Sequence, residues 1–152
     1  MLKRIAVGAA AAGILLMAAI QLVPYGRDHA NPPVVQEPAW ADAQTRALAV
    51  RACYDCHSNE TVWPWYSTIA PVSWLVQRDV NYGRNDLNFS RWDRRRQEGD
   101  EAAETVVDGS MPPWFYLPTH PQARLSDAEK QVLIQGLLAT FGGKVKGNGN
   151  QD

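Results

Sequence analysis

The segment Cys53–His57, "CYDCH", holds both cysteines of the chain and one of its three histidines. Three chemistries use such a cluster. The first is a thioredoxin-like redox pair, whose motif opens a helix in a βαβ unit, where the helix N-terminus lowers a thiol pKa. Here the motif ends a helix-favouring stretch, and no strand pattern flanks it. A plain disulfide closing so short a loop would add little stability. The second is zinc, which takes four ligands, commonly as two pairs. Cys53 with Cys56 or His57 makes one pair, but His29 and His120 lie isolated in different regions. A zinc-stabilised binding module using Cys53, Cys56, His57 and His120 therefore stands as an alternative. The third is c-type haem attachment, in which two thiols add across the two haem vinyl groups and the next residue supplies an axial imidazole. This chemistry employs both cysteines and the adjacent histidine, which the redox pair and the plain disulfide leave unexplained.

An electron-carrying haem needs a sixth ligand, often methionine. Met1 and Met17 fall in an apolar N-terminal run, which leaves Met111 in "GSMPP". Gly109 permits a tight approach, and Pro112 and Pro113 stiffen the backbone. A lone methionine is commonly a core filler, but this one lies off any helical apolar stripe. His120 and an open sixth position are the other options.

These groups must be positioned by helices. Ala41–Cys53 lacks Gly and Pro and places Thr45, Leu48, Ala49 and Ala52 on one face. "CYDCH" at its end puts Cys53, Cys56 and His57 on one side, with Tyr54 and Asp55 pointing elsewhere. A second helix is predicted from Pro71 or Val72 to Tyr82, ended by Gly83. A third is predicted from Ser90, with Asp93 completing an imperfect capping box. The last carries a full box, Ser126-x-x-Glu129, and the stripe Leu133, Ile134, Leu137, Leu138 and Phe141. No alternating strand pattern appears, so the expected class is all-α: a small helical domain preceded by an N-terminal transmembrane helix.

Residues 1–23 read as a membrane anchor or signal. Met1–Arg4 is short and basic, and Ile5–Val23 is uncharged. As a helix that run spans about 28 Å, close to a bilayer's hydrocarbon core. A cleaved signal peptide would want a shorter apolar core and a small-x-small site, which "QLVPYGRDHANPP" does not offer. Either way Lys3 and Arg4 stay cytoplasmic and the remainder is exported. Residues 24–39, with four prolines, read as an extended linker in which His29 has no site role. Residues 40–141 form the haem-binding domain, and 142–152 a flexible tail. The net charge of −1 gives no electrostatic case for nucleic acid.

The residues "ACYDCHSNETVWPWYSTIAPVSWLV", "LNFSRW" and "GSMPPWFYLPTHPQARLSDAEKQVL" resemble the bacterial haem-binding domain family related to c-type cytochromes, as does "IQLVPYGRDHANPP" after the apolar run. The Cys-x-x-Cys-His element is common to all c-type cytochromes. Its combination with Asn59, Trp63-Pro64 and Leu87–Ser90 is far more specific. The resemblance implies a mostly helical monohaem domain at the periplasmic face of the bacterial inner membrane. It further implies a cytochrome c-like fold around one covalent haem c, bound through Cys53 and Cys56, with His57 as the proximal ligand and Met111 as the expected distal one. The long aromatic middle segment departs from a cytochrome c core.

The leading expectation is a membrane-anchored cytochrome passing single electrons to an unknown redox partner protein. Trp63, Trp65, Tyr66, Trp74 and Trp114 are candidates to line the haem pocket, and Arg94-Arg95-Arg96 to pair with its propionates or an acidic partner. An enzyme, a haem peroxidase or a redox or gas sensor, would need an open distal site with an acid/base group.

Overall fold

The computed structural model describes residues 1–94 and 97–145. The Arg94–Arg96 run and the flexible-tail expectation fall partly outside these residues. Among them the chain forms six α-helices and no strand, with a single parallel bridge between Gln36 and Arg91.

Helix α1 (Leu2–Ile20) has no buried residue. It is long and apolar enough to cross a membrane, and a signal sequence has the same character.

Helix α2 (Ala43–Ala52) is capped by Asp42, whose carboxylate accepts from the Thr45 backbone N–H at 2.7 Å and the Thr45 hydroxyl at 2.8 Å. It buries the expected face, Thr45, Leu48, Ala49 and Ala52. Helix α6 (Asp127–Phe141) starts with the expected capping box of Ser126 and Glu129. Leu133, Ile134 and Leu137 are buried, while Leu138 and Phe141 pack against the same core half-buried. The two helices cross at Gly136, where any side chain would collide with that of Thr45. Phe89 sits at the centre with its ring against Tyr54, Trp40 and Phe141. Burying a side chain of this size contributes about 1.5–3 kcal/mol.

Two helix expectations are corrected. Helix α4 (Val72–Asp86) does not stop at Gly83 but runs a further turn beyond Tyr82. Gly83 is buried inside it because a Cβ there would lie 2.5 Å from the Cys56 carbonyl oxygen. Its missing side chain permits a close crossing rather than a helix end. Among the described residues no helix starts at Ser90. Ser90 is consumed by tertiary bonds: its hydroxyl accepts from the Asn59 N–H at 2.9 Å, and its carbonyl accepts from Val35 and Gln36. Asp93 pairs with Arg91 instead of capping. Helix α5 spans only Ala102–Val107, after a 3-10 turn at Gly99–Glu101.

Residues 24–39 turn at Tyr25–Gly26, form no helix, and are fastened along the domain. Asn31 Nδ2 donates to the Thr61 carbonyl at 2.9 Å, and the Pro33 carbonyl accepts from Asn59 at 2.8 Å. Glu37 grips the Arg46 guanidinium through two bonds of 2.6 and 2.7 Å.

Candidate functional site

The cysteine-histidine motif is not a continuation of α2. The helix ends at Ala52, and Cys53, at φ −124° and ψ −32°, breaks it. A one-turn helix α3 (Tyr54–His57) follows, with the Cys56 and His57 N–H groups both donating to the Cys53 carbonyl. The tight turn keeps Cys53, Cys56 and His57 together, and all three line one cavity of about 340 Å³. Tyr54 turns into the core as expected. Asp55 does not turn away: it too lines the cavity and accepts from the Tyr116 hydroxyl.

His57 is held from behind. Its Nδ1 lies 3.0 Å from the Gly83 carbonyl and 3.1 Å from that of Leu87. Carbonyl oxygens only accept, so Nδ1 carries the proton and donates, and Nε2 keeps its lone pair. Burial holds the imidazole pKa below its ordinary value, opposed by the two carbonyl bonds. The ring is therefore neutral at pH 7, the form that binds a metal. The Gly83 contact explains the sequence at that position. Without a Cβ, α4 comes close enough to Cys56 for its carbonyl to reach His57.

The backbone of the motif is fixed by residues that residue-type reasoning passed over. The Phe89 N–H donates to the His57 carbonyl at 2.8 Å. Behind it, Asn88 Nδ2 donates to Asn59 Oδ1 at 3.0 Å, and Asn88 Oδ1 accepts from the Ser90 N–H at 2.9 Å. Asn59, Asn88 and Ser90 are all buried. "LNFS" and Asn59 drew notice only as marks of resemblance; their work is to satisfy one another while supporting the motif.

Burial pushes both thiols up to about 12. This is the opposite direction from a thioredoxin-like nucleophile, whose thiol is lowered. Among the described residues no group of three or more His, Cys, Asp and Glu side chains is arranged to hold a metal ion. His120 does not line the cavity. Its ring stacks on Tyr116 with centroids 3.7 Å apart, and its Nδ1 lies 3.0 Å from the Tyr116 carbonyl. The fourth ligand of the zinc alternative is thus on the far side of a tyrosine from the motif's cavity.

Met111 is brought to the cavity. Its loop folds back on α5: the Met111 N–H donates to the Thr105 carbonyl at 2.9 Å, and Gly109 makes the reversal at φ +77°. The Ser110 N–H donates to Asp108 at 2.8 Å.

The expected aromatic lining is corrected. Trp63 stacks on His29, Tyr66 bonds Thr119, and Trp65 and Trp114 are exposed. Neither these four nor Trp74 lines the cavity; Tyr82, Phe89, Phe115 and Tyr116 do. Tryptophan count was the misleading signal, because ring size says nothing of which side of the loop faces inward. Arg94 is not a lining residue either. The charged residues around the cavity are carboxylates: Asp55, Asp79, Asp86, Glu98 and Glu101.

The cavity therefore combines an imidazole nitrogen free to bind, a thioether sulfur, two protonated thiols and an apolar wall that includes Leu87, Val106 and Leu137. Such a donor set fits haem iron better than a hard cation, which takes oxygen ligands. The Haem-binding domain family matches residues 15–139. The chain belongs to the Haem-binding domain family. The match starts inside α1 and takes in the fastened segment, the motif, the Asn59–Asn88–Ser90 group and Met111. No curated protein and no solved structure matches the chain. Family membership supports haem as the ligand of this domain, and the cavity is where its residues could hold one.

Proposed function

We propose that this haem-binding domain is a monohaem c-type cytochrome that passes single electrons at the periplasmic face of the inner membrane. The observation that carries this reading is the meeting of Cys53, Cys56, His57 and Met111 on the walls of one cavity, from positions up to 58 residues apart in sequence. Cys53 and Cys56 would hold the group through thioether links to its two vinyl side chains. His57 presents Nε2 as the proximal ligand, because Nδ1 is committed to Gly83 and Leu87. Met111 would offer its thioether sulfur as the second protein ligand to the iron. Bound iron supplies a ferrous/ferric couple that exchanges one electron without bond making.

The protein's contribution is rigidity and dryness. The two carbonyls fix the imidazole plane, and the Asn59–Asn88–Ser90 group fixes the turn that carries it. Leu87, Phe89, Val106 and Leu137 exclude water from that wall. The nearby carboxylates favour the more positive, oxidised state. Helix α1 serves as an uncleaved anchor for residues 40–141, with Lys3 and Arg4 on the cytoplasmic side.

Coexpression with a c-type haem maturation system tests the reading. Haem that stays with the polypeptide on a denaturing gel, with a methionine–iron charge-transfer band in the oxidised spectrum, is expected. Absence of covalent haem would sink the cytochrome reading. Rapid carbon monoxide binding by the reduced protein would replace it with an open-site sensor or peroxidase.

A further inference from the structure

Helix α1 does not end in a free tether. One residue past it, the Gln21 side-chain amide pairs with both backbone groups of Ala70. Nε2 donates to the Ala70 carbonyl at 2.9 Å, and Oε1 accepts from the Ala70 N–H at 3.0 Å. Gly26, at φ +77°, presses so closely on the Ser73 carbonyl that any side chain would collide with it. His29 then stacks on Trp63, with its Nε2 3.2 Å from the Ser67 carbonyl. Three contacts within nine residues join the helix end to the 63–73 segment. A flexible linker would make none of them.

Six of the side chains exposed around this junction are large and apolar, alongside the polar Arg27, Asp28 and Thr68. Leu22 is 84% exposed and Trp65 78% exposed, and Val23, Tyr25, Ile69 and Val72 are exposed as well. Apolar side chains gathered in one neighbourhood call for an occupant. The neighbouring element names its chemistry: a 19-residue helix of membrane-spanning character ends here. Tryptophan and tyrosine favour the headgroup level of a bilayer, where a ring can be half apolar and half wet. Arg27, whose guanidinium lies 3.3 Å from Gln21 Oε1, places a cation at the same level.

We propose that the face formed by residues 22–25 and by Trp65, Ile69 and Val72 lies in the headgroup region of the membrane that α1 spans, so that the haem domain sits on the lipid surface in one orientation. The inference rests on the anchor reading of α1 and adds a second lipid contact, made by the domain itself. Gln21 is a positioning residue in it, setting the angle between helix and domain.

Lipid crosslinking of the full haem-loaded chain tests the inference. The protein is placed in nanodiscs of phosphatidylethanolamine and phosphatidylglycerol containing a phospholipid with a diazirine near the headgroup, then irradiated and mapped by peptide mass spectrometry. Adducts are expected on α1, on residues 22–25 and on the peptide carrying Trp65, Ile69 and Val72, with none on α6. Gln21→Ala should cut the yield on the 65–72 peptide several-fold while leaving that on α1 and the visible spectrum unchanged. Adducts on α1 alone overturn the docking face and leave the anchor standing. No adducts anywhere overturn both.

Discussion

The two sides of the cavity are built differently. On the histidine side, every group that matters is braced by a distant part of the chain. His57 leans on α4, its carbonyl is held by Phe89, and the turn is backed by Asn59, Asn88 and Ser90. On the methionine side, Met111 is held by bonds to its own neighbourhood, Thr105 and the Asp108–Ser110 turn. The residues after it, Trp114 and Phe115, are exposed. Long-range bracing resists displacement because many buried groups must give way at once. A loop bonded to its own helix end can move as a unit. The contrast puts His57 on a support fixed with the fold and Met111 on a segment that can move without unfolding it.

Four measurements break or sharpen this contrast, from the largest expected effect to the smallest. Cys53→Ala with Cys56→Ala should eliminate haem from the denatured polypeptide entirely, whereas Met111→Ala should retain it; a haem stain on the two gels decides. Gly83→Ala places a methyl group 2.5 Å from the Cys56 carbonyl oxygen and 2.9 Å from its Cβ. Overpacking of this kind costs about 1–3 kcal/mol, so the melting temperature should fall by several degrees. Asn88→Ala strands the Asn59 side-chain oxygen Oδ1 and the Ser90 N–H in the core, at a cost of about 1–3 kcal/mol in denaturant unfolding. Met111→Ala should change stability least of these and abolish the charge-transfer band. Equal destabilisation by Met111→Ala and Gly83→Ala would falsify the asymmetry.

A pH titration sharpens the contrast from outside the cavity. Glu129 is held down at about 2, first by the Ser126 N–H and then by Arg51. Its folded value lies below the ordinary 4.5, so its contribution is complete above pH 4.5 and is lost as pH falls through about 2. Glu129→Ala should flatten the acid limb of the stability profile in that window and leave the neutral spectrum untouched. The Ser126–Glu129 pair caps α6 and does not line the cavity.

Local chemistry was legible in the sequence. The capping box at Ser126, the buried stripe of α6, the face of α2, the all-helical class and an apolar helix of membrane length each follow from residues close together in the chain. So does the coincidence of Cys53, Cys56 and His57 on one side of a turn, because that spacing is itself a local geometry. What failed were inferences from residue type without a partner. Gly83 read as a helix end, Ser90 as a cap, and five large aromatics as pocket walls. Each has its role set by a residue far away: Gly83 by Cys56, Ser90 by Asn59, and Trp63 by His29.

The sequence by itself determined the local grouping of the two cysteines with the histidine, the helices with strong local signals, and that Met111 is the one methionine of residues 40–141. Only the tertiary structure decided which nitrogen of His57 is free, which rings face the cavity, and that the proline-rich segment is fastened to the domain. The physical reason is the same throughout. Periodicity and capping are satisfied within a few residues, whereas a buried polar group is satisfied by whichever donor or acceptor the fold brings to it. At this site those partners come from 26 and 30 residues away.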